Sequence, residues 1–312
     1  VKILYADPYS DTPYSKVYLY YEGLYHAMKK KHEVFLYRDC FTDYNDIKNV
    51  LPFVPDIILF GLSWFEKHKY FEKIKNLEMF KVCYLFKPSV DFERKKYFCK
   101  VNEIDLIVTP HAFLNELNKI LSIKTVLFPY GFDPNIFYPR NSGKVYDFGF
   151  SGALHDNSHY PSDAFRNPNI REKVYHILNE MDNLNYFWKS TDKFETARIH
   201  DNIRYAKTIS KSRVWMGTQA AYGDITPRYF EVMGTGSLLY CEENTLEYKG
   251  VFNNHVNCLE FDNSLKNFSR KLNEILEDKD KLLEIGNQGC KEAHDKHSWD
   301  KRSDQLTQLM IS

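Results

Sequence analysis

Short apolar runs alternate with amphipathic stretches through the first 130 residues of the chain. Runs such as KILYA and PDIILFG are almost wholly apolar, which is typical of parallel strands that are buried on both faces. This pattern predicts strands at 2–6, 33–37, 55–61, 81–86, 104–109 and 124–128, separated mostly by helical stretches such as 15–30. Strands that alternate with helices in this way predict a doubly wound, Rossmann-like domain.

The pattern restarts after PYGFDPNIFYPRNSGK at 129–144, a stretch rich in Pro, Gly and Asn that shows no periodicity. The second half predicts strands at 146–152, 185–188, 213–218, 236–240 and 258–261, and helices at 170–181, 226–233, 265–277, 279–294 and 298–310. The predicted fold class is therefore α/β, with two tandem Rossmann-like domains. Such a pair leaves an interdomain cleft that faces the carboxyl ends of both sheets, where ligands of α/β folds bind.

Composition narrows the classes of function. The formal net charge is zero, which argues against nucleic acid and anionic membranes as partners. No apolar run approaches the length of a membrane span, and the first residues do not form a signal peptide pattern. The six cysteines are scattered without a CxxC pair, so we expect buried thiols in a reducing, cytoplasmic location. The oligomeric state is left open.

The stretch TPRYFEVMGTGSLLY, residues 226–240, predicts an anion site at the start of a helix. Thr226 suits the N-cap, and the unpaired backbone N–H groups of the first turn attract a diphosphate. Arg228, in the first turn of this helix, can donate two parallel hydrogen bonds to the same diphosphate. Glu231 lies on the same helical face, where its carboxylate can accept hydrogen bonds from two vicinal ribose hydroxyls. These residues predict a nucleoside diphosphate site.

This stretch carries a family resemblance. TPRYFEVMGTGSLLYCEE, NHVNCLEFDN and LEIGNQGCKEAHDKHSWDKR resemble the C-terminal domain of GT-B glycosyltransferases of the CgeB-like, group 1 kind, and LFPYGFDPNIFYP resembles their interdomain segment. The resemblance implies a transferase that moves a sugar from a nucleotide diphosphate-sugar, UDP- or GDP-sugar, to a hydroxyl of a glycan or other small acceptor. It implies an acceptor-binding domain at 1–140, a donor-binding domain at 141–297, and a last helix at 298–312 that crosses back to the first domain.

The resemblance also assigns roles to residues. Glu231 corresponds to the second glutamate of the Glu-x7-Glu pair in related retaining transferases, and this partial match favours retention of configuration. The first position of the pair, whose glutamate holds the donor sugar in those relatives, is Gly223 in this chain. Asp224 or the backbone amides of the loop would then hold the donor sugar. Gly152 corresponds to a glycine turn that approaches the phosphates, and Arg171 is a nearby source of positive charge.

Other readings of the same residues stay open at this point. Arg171 is equally well a solvated residue at the start of a helix, and Lys211, a second candidate for the diphosphate, suits a solvated helix end. Arg228 and Glu231 could pair with each other at i, i+3 on a helix surface. In the first domain, relatives carry a histidine where this chain has Lys87-Pro88, and Asp91 is the nearest group able to act as a base.

The absence of other motifs limits the alternatives. The sequence has no GxxxxGK[ST], GxGxxG or GxSxG pattern and no Asp-x-Asp cluster in a site context, so we expect no bound cofactor and no catalytic metal. Two other classes share the expected architecture: a sugar-nucleotide epimerase or hydrolase, and a two-lobed protein that binds a sugar or nucleotide without chemistry. A transferase acting on bases in DNA also shares it, but the neutral charge argues against that.

Overall fold

A computed structural model of the chain describes residues 1–7, 19–62, 73–86, 88, 91–112, 114–154, 169–191, 199, 201–220, 224–244 and 246–311. The chain divides into two compact units. The first unit joins Val1–Gly131 to the C-terminal segment Trp299–Ser312, and the second unit is Phe132–Ser298. Within the described ranges, no helix has the length and apolar character needed to cross a lipid bilayer.

The first unit contains a parallel sheet of the order β2-β1-β3-β4-β5-β6. Its strands are β1 (Lys2–Ala6), β2 (Glu33–Tyr37), β3 (Ile57–Leu62), β4 (Phe80–Leu85), β5 (Leu106–Thr109) and β6 (Thr125–Leu127), and the helices between them are α1 (Leu19–Lys29), α2 (Tyr44–Ile47), α3 (Phe92–Val101) and α4 (Leu114–Leu121). Side chains on both faces of β1 are buried, with Ile3 in one apolar cluster and Leu4 in another. Because helices cover both faces of the sheet, nearly every residue of these strands is apolar.

The second unit contains a parallel sheet of the order β11-β10-β9-β7-β8. Its strands are β7 (Tyr146–Ala153), β8 (Tyr186–Thr191), β9 (Ser212–Gly217), β10 (Leu238–Glu242) and β11 (Leu259–Phe261), and its helices are α5 (Ile170–Asn179), α6 (Asn202–Ser210), α7 (Pro227–Gly234), α8 (Phe268–Glu277) and α9 (Lys279–Lys296). The α/β class and the two parallel sheets predicted from the sequence are confirmed.

Both sheets change winding direction next to their first strand. In the first unit the chain runs from β1 outward to β2 and returns to β3 on the other side of β1. In the second unit it runs from β7 to β8 and returns to β9 on the other side of β7. Ligands of open α/β sheets bind at the carboxyl edge beside such a switch point. The topology therefore marks two edges, β1/β3 and β7/β9, for closer inspection.

The last helix of the chain, α10 (Trp299–Ile311), belongs to the first unit and packs against α1. Trp299 is 5% exposed and fits against two glycines, since a Cβ at Gly23 or Gly131 would lie 2.1 or 2.7 Å from its ring. Lys30 forms an ion pair with Asp300 at 2.7 Å along the same contact. A stretch that follows the second unit in sequence thus completes the core of the first.

Candidate active site

Two arginines meet at the carboxyl edge of the second sheet, beside the β7/β9 switch point. Arg171 is the second residue of α5 and Arg228 is the second residue of α7. Both helices begin at this edge, and a cation in the first turn of a helix opposes the helix dipole at a cost of about 0.3–1 kcal/mol. A bound anion at this edge would offset that cost at both positions.

Arg228 is held next to a glycine. Its Nε donates a hydrogen bond to the hydroxyl of Tyr205 at 3.1 Å, and its guanidinium carbon lies 5.3 Å from the ring centroid of Phe150. A Cβ at Gly152 would lie 3.2 and 3.3 Å from the two terminal guanidinium nitrogens and 3.0 Å from Phe150 Cζ. The absence of a side chain at Gly152 therefore makes room for the guanidinium fork.

Arg171 lies on the same aromatic ring. Its Nε donates to Thr218 Oγ1 at 2.9 Å, its Nη1 donates to the carbonyl oxygen of Ala153, and its guanidinium carbon is 5.6 Å from the ring centroid of Phe150. Thr218 directly follows β9 and Ala153 ends β7. The two strands of the switch point thus fix one guanidinium, and both guanidinium groups contact the same phenyl ring.

The first turn of α7 lies at this edge as well. Thr226 occupies the N-cap with extended backbone angles (φ −96°, ψ 157°), and Pro227 opens the helix. The Thr226 side chain makes no capping hydrogen bond, and among the described residues its buried Oγ1 has no hydrogen-bond partner. Helix N-terminal N–H groups and a hydroxyl beside a guanidinium are the donors that phosphate oxygens accept.

The other residues predicted for this site differ in their placement. Asp224 is 5% exposed just ahead of the N-cap, and its carbonyl oxygen accepts a hydrogen bond from Ala220 N at 2.8 Å. Glu231 lies one turn beyond Arg228 on α7 and is partly buried. Gly223 lies outside the described residues. Asp224 and Glu231 therefore flank the arginine site along the chain.

Lys211 is not brought to this site. It follows α6 and lies at the amino edge of the sheet, where Val145 N and Tyr146 N donate to its carbonyl oxygen at 2.7 and 3.0 Å. Tyr146 begins β7, and Gly152 lies six residues further along the strand, a separation of about 20 Å at the usual rise per residue. Lys211 is exposed, as expected for a solvated helix end.

The first unit has a different arrangement at its own switch point. Asp7 directly follows β1, is 2% exposed, and its Oδ2 forms an ion pair with Arg38 Nη1 at 2.9 Å. A Cβ at Gly61 on β3 would lie 2.7 Å from Asp7 Oδ1, so a glycine leaves room for the carboxylate. Burial raises the pKa of Tyr5 well above its usual range, the charge of Asp7 raises it further, and Arg38 acts in the opposite direction.

Asp91, the predicted base, lies in the first unit at the N-cap of α3. Its backbone is left-handed (φ 54°, ψ 43°), its side chain is partly buried, and it makes no side-chain capping bond. Asp is among the few residues that adopt this conformation at modest cost, and such positions are enriched at functional sites.

Sequence reasoning missed three residues that shape the arginine site. Phe150 and Thr218 lie near the carboxyl ends of two predicted strands. That position was the signal from which both could have been found. Tyr205 lies on α6, and no sequence pattern connects it with Arg228, 23 residues away. Only the packing of α6 against α7 brings the hydroxyl to the guanidinium.

Two parallel α/β units with these switch points are the architecture of GT-B glycosyltransferases, and the expected resemblance to this class is confirmed. Residues 164–308 match the family model described as glycosyl transferase-like. The matched range contains Arg171, Thr226, Arg228 and Glu231, and the match supports a transferase. A comparison with curated protein sequences gives no significant match.

Solved structures with this fold span nearly the whole chain. Sucrose-phosphate synthase from Thermosynechococcus elongatus has a TM-score of 0.60 at 12% identity, covering 99% of this chain and 98% of its own. HepE from Anabaena, in complex with UDP-glucose, has a TM-score of 0.60 at 10% identity, covering 99% of each chain. An α-glucosyltransferase in complex with UDP and a 13-mer DNA containing an HMU base has a TM-score of 0.60 at 11% identity, covering 100% of this chain and 99% of its own. At these identities the likeness establishes the fold.

Proposed function

We propose that the protein transfers a sugar from a nucleotide diphosphate-sugar to a hydroxyl of a glycan or other small acceptor. The observation that carries the proposal is the convergence of Arg171 and Arg228 on the Phe150 ring at the β7/β9 edge, where Gly152 makes room for Arg228. In such a reaction the nucleoside diphosphate is the leaving group, so the protein must stabilise negative charge that grows on the phosphates. Two guanidinium groups beside a helix N-terminus provide that stabilisation.

The second unit binds the donor in this proposal. Arg228 and Arg171 hold the diphosphate, Gly152 lets the phosphates approach the strand, and Thr226 donates its hydroxyl to a phosphate oxygen. Glu231 accepts hydrogen bonds from the ribose hydroxyls, and Asp224 or the backbone of the adjoining loop holds the donor sugar. HepE is described in complex with UDP-glucose, so a UDP-sugar is the first donor to test and a GDP-sugar the second.

The first unit binds the acceptor in this proposal, with Asp91 as the base that takes the proton from the attacking hydroxyl. The site needs no divalent metal for catalysis, because the arginines supply the positive charge that a metal would otherwise bring to the diphosphate. The correspondence of Glu231 with a retaining family favours retention at the anomeric carbon. Adding Mg²⁺ or Mn²⁺ should leave the transfer rate unchanged, and NMR of the product should show the anomeric configuration of the donor.

A donor panel tests the proposed function. The protein is incubated with UDP-, GDP-, dTDP- and CMP-sugars, with and without a mixture of glycan acceptors, and the release of nucleotide and the formation of glycoside are measured. We expect one donor to release nucleotide mainly in the presence of acceptor. Release that is independent of acceptor, or conversion of the donor sugar, would indicate a hydrolase or an epimerase. Binding without turnover would indicate a sugar- or nucleotide-binding protein.

A further inference from the structure

The second unit holds a further group of metal-ligand atoms, on β10 and at β11, the two strands beyond β9. Cys241 on β10, Cys258 just before β11 and Glu260 on β11 place their Sγ and carboxylate oxygen atoms within 4.8 Å of one another. Register explains the cluster, because Cys241 pairs with Glu260 across the parallel strands. Cys258 precedes Glu260 by two residues and therefore shares its face of the strand.

A fourth side chain lies against this group. Asn244 Nδ2 donates to Glu260 Oε1 at 2.6 Å and contacts Cys241 Sγ at 3.7 Å. Its Oδ1 is buried, and within the described parts of the chain it has no hydrogen-bond partner. Rotation of the amide by half a turn would direct the oxygen toward the cluster.

The geometry points to a tetrahedral zinc site formed by Cys241, Cys258, Glu260 and Asn244. Zinc–sulfur bonds of about 2.3 Å and zinc–oxygen bonds of about 2.0–2.2 Å place tetrahedral ligand atoms roughly 3.3–3.8 Å apart, so movements of about 1 Å or less would close the site. Binding of Zn²⁺ releases the two thiol protons to solvent and leaves two thiolates and one carboxylate on the metal. Paired thiolates select Zn²⁺ over Mg²⁺ or Ca²⁺.

Charge around the group favours such an ion. The zinc complex carries one net negative charge, and Lys271 lies next to it with its Nζ donating to the carbonyl oxygen of Glu260 at 2.8 Å. The metal would join β11, a short edge strand, to its neighbour β10. Its role would be structural, since all four proposed ligands come from the protein. The inference is independent of the transferase proposal.

A second pair of cysteines provides a built-in comparison. Cys83 and Cys99 in the first unit are buried, and their thiols are hydrogen-bonded to each other, as are those of Cys241 and Cys258. The charged group that acts on the Cys83 pair is the ammonium of Lys95, whereas Glu260 and Asn244 flank the Cys241 pair. Within the described residues the Cys83 pair belongs to no group of three or more metal-ligand side chains, so the two pairs should differ in affinity for zinc.

Metal titration tests the inference. Full-length protein without a polyhistidine tag is stripped of metal and titrated with Co²⁺, then with Zn²⁺, and thiolate-to-cobalt charge-transfer absorption is recorded. We expect about one equivalent to bind to the wild type and to the control Cys83→Ser/Cys99→Ser, but not to Cys241→Ser/Cys258→Ser. At a hundredfold excess over Kd, zinc should raise the melting temperature by about 5 °C or more.

Glu260→Gln keeps both thiols and tests the site if the double serine variant fails to fold. It should lower the affinity for Co²⁺ by about tenfold or more. The inference is overturned if the wild type shows no saturable thiolate–cobalt absorption, or if the Cys83→Ser/Cys99→Ser variant loses it. It is also overturned if thiol titration of the folded protein shows Cys241 and Cys258 joined in a disulfide.

Discussion

The two switch points of the molecule use arginine in different ways. At the β1/β3 edge, Arg38 forms an ion pair with the buried carboxylate of Asp7 at 2.9 Å. At the β7/β9 edge, Arg228 and Arg171 donate hydrogen bonds to the hydroxyls of Tyr205 and Thr218. Each edge also has a glycine that makes room for a charged group, Gly61 for the carboxylate and Gly152 for the guanidinium.

The two arrangements suit different purposes, stability of the fold at the β1/β3 edge and ligand binding at the β7/β9 edge. An arginine that neutralises a buried aspartate contributes to the folded state whether or not a ligand is present. In the proposed function, an arginine in the first turn of a helix and hydrogen-bonded to a hydroxyl is oriented for the diphosphate of the donor. The same topology thus supports a structural ion pair in one unit and an oriented pair of cations in the other. Removing an arginine from each edge should reveal two separate losses.

The largest effect is expected from Arg38→Ala. The substitution leaves the carboxylate of Asp7, 2% exposed, without its cation, and breaking a buried pair in this way costs about 3–5 kcal/mol of unfolding free energy. Urea denaturation measures the loss, and donor affinity of the folded fraction should not change. Arg270→Ala is the control, because its ion pair with Glu274 is 58% exposed at both ends. Equal stability of the two variants would show that the Asp7 pair is not structural.

Arg228→Ala should have the opposite profile. We expect kcat/KM for the donor to fall by about 2–4 kcal/mol of transition-state stabilisation, because the guanidinium contact strengthens as charge grows on the leaving phosphate. The fall should include kcat, and steady-state kinetics with varied donor measures both parameters. Arg204→Ala, an exposed arginine on α6, should retain full activity. Normal turnover by Arg228→Ala would remove the arginine from the site and favour a plain surface pair with Glu231.

Glu231→Gln should act mainly on donor affinity. A charged hydrogen bond to the ribose is made in the ground state and the transition state alike, so the loss of about 1.5–3 kcal/mol should appear in KM. Calorimetry with the nucleoside diphosphate checks the same loss without turnover. Glu277→Gln at the end of α8, where the side chain is exposed, is the matched control. A fall in kcat at unchanged KM would contradict the ribose role.

Gly152→Ala tests whether space beside the guanidinium matters. The added methyl group would lie 3.2 Å from the nearest terminal nitrogen of Arg228 and should displace it by a few tenths of an ångström. Since a 1 Å misplacement can cost about a hundredfold in rate, we expect a loss of about tenfold in kcat/KM. Gly143→Ala introduces a methyl group that meets nothing within 4 Å and should be silent. Wild-type kinetics for Gly152→Ala would show that the glycine serves strand packing alone.

The smallest effect is expected from Tyr205→Phe. The ring still packs against Trp215 and Phe137, but the hydrogen bond to Arg228 is lost, which costs about 0.5–1.5 kcal/mol. The loss should appear in kcat/KM, measured with the donor, at nearly unchanged melting temperature. Tyr240→Phe is the control, because its hydroxyl also donates a 3.1 Å bond, but to Phe268 O at the start of α8 and not to Arg228. Equal kinetic losses in both variants would make the Tyr205 effect a general consequence of a lost hydrogen bond.

The sequence predicted the strands and the start of α7 because these depend on local pattern. Apolar runs give buried parallel strands, and Thr226-Pro227 sets the first turn of α7. The sequence could not distinguish Arg171 from a solvated residue, because that depends on whether the start of α5 lies next to β9. The structure places it against Thr218 and Ala153.

Other features had no local signal. Lys211 directly precedes β9 and therefore lies at the amino end of the strand, whereas Arg171 and Arg228 lie at the carboxyl edge of the sheet. That a residue is close to a strand in sequence does not show which edge of the sheet it occupies. Tyr205 reaches Arg228 only through the packing of two helices. The Asp7–Arg38 pair joins the ends of β1 and β2, which the sequence separates by 31 positions.

Calorimetric titration with matched ligands tests the central claim most directly. Wild type and Arg228→Ala are each titrated with a nucleoside diphosphate, UDP first and GDP second, and with the corresponding nucleoside, which lacks both phosphates. The proposed site predicts that wild type binds the diphosphate much more tightly than the nucleoside, and that Arg228→Ala loses about 2 kcal/mol or more of this difference while its affinity for the nucleoside is unchanged. Equal loss for both ligands, or a wild type that does not distinguish any nucleoside diphosphate from its nucleoside, would contradict it.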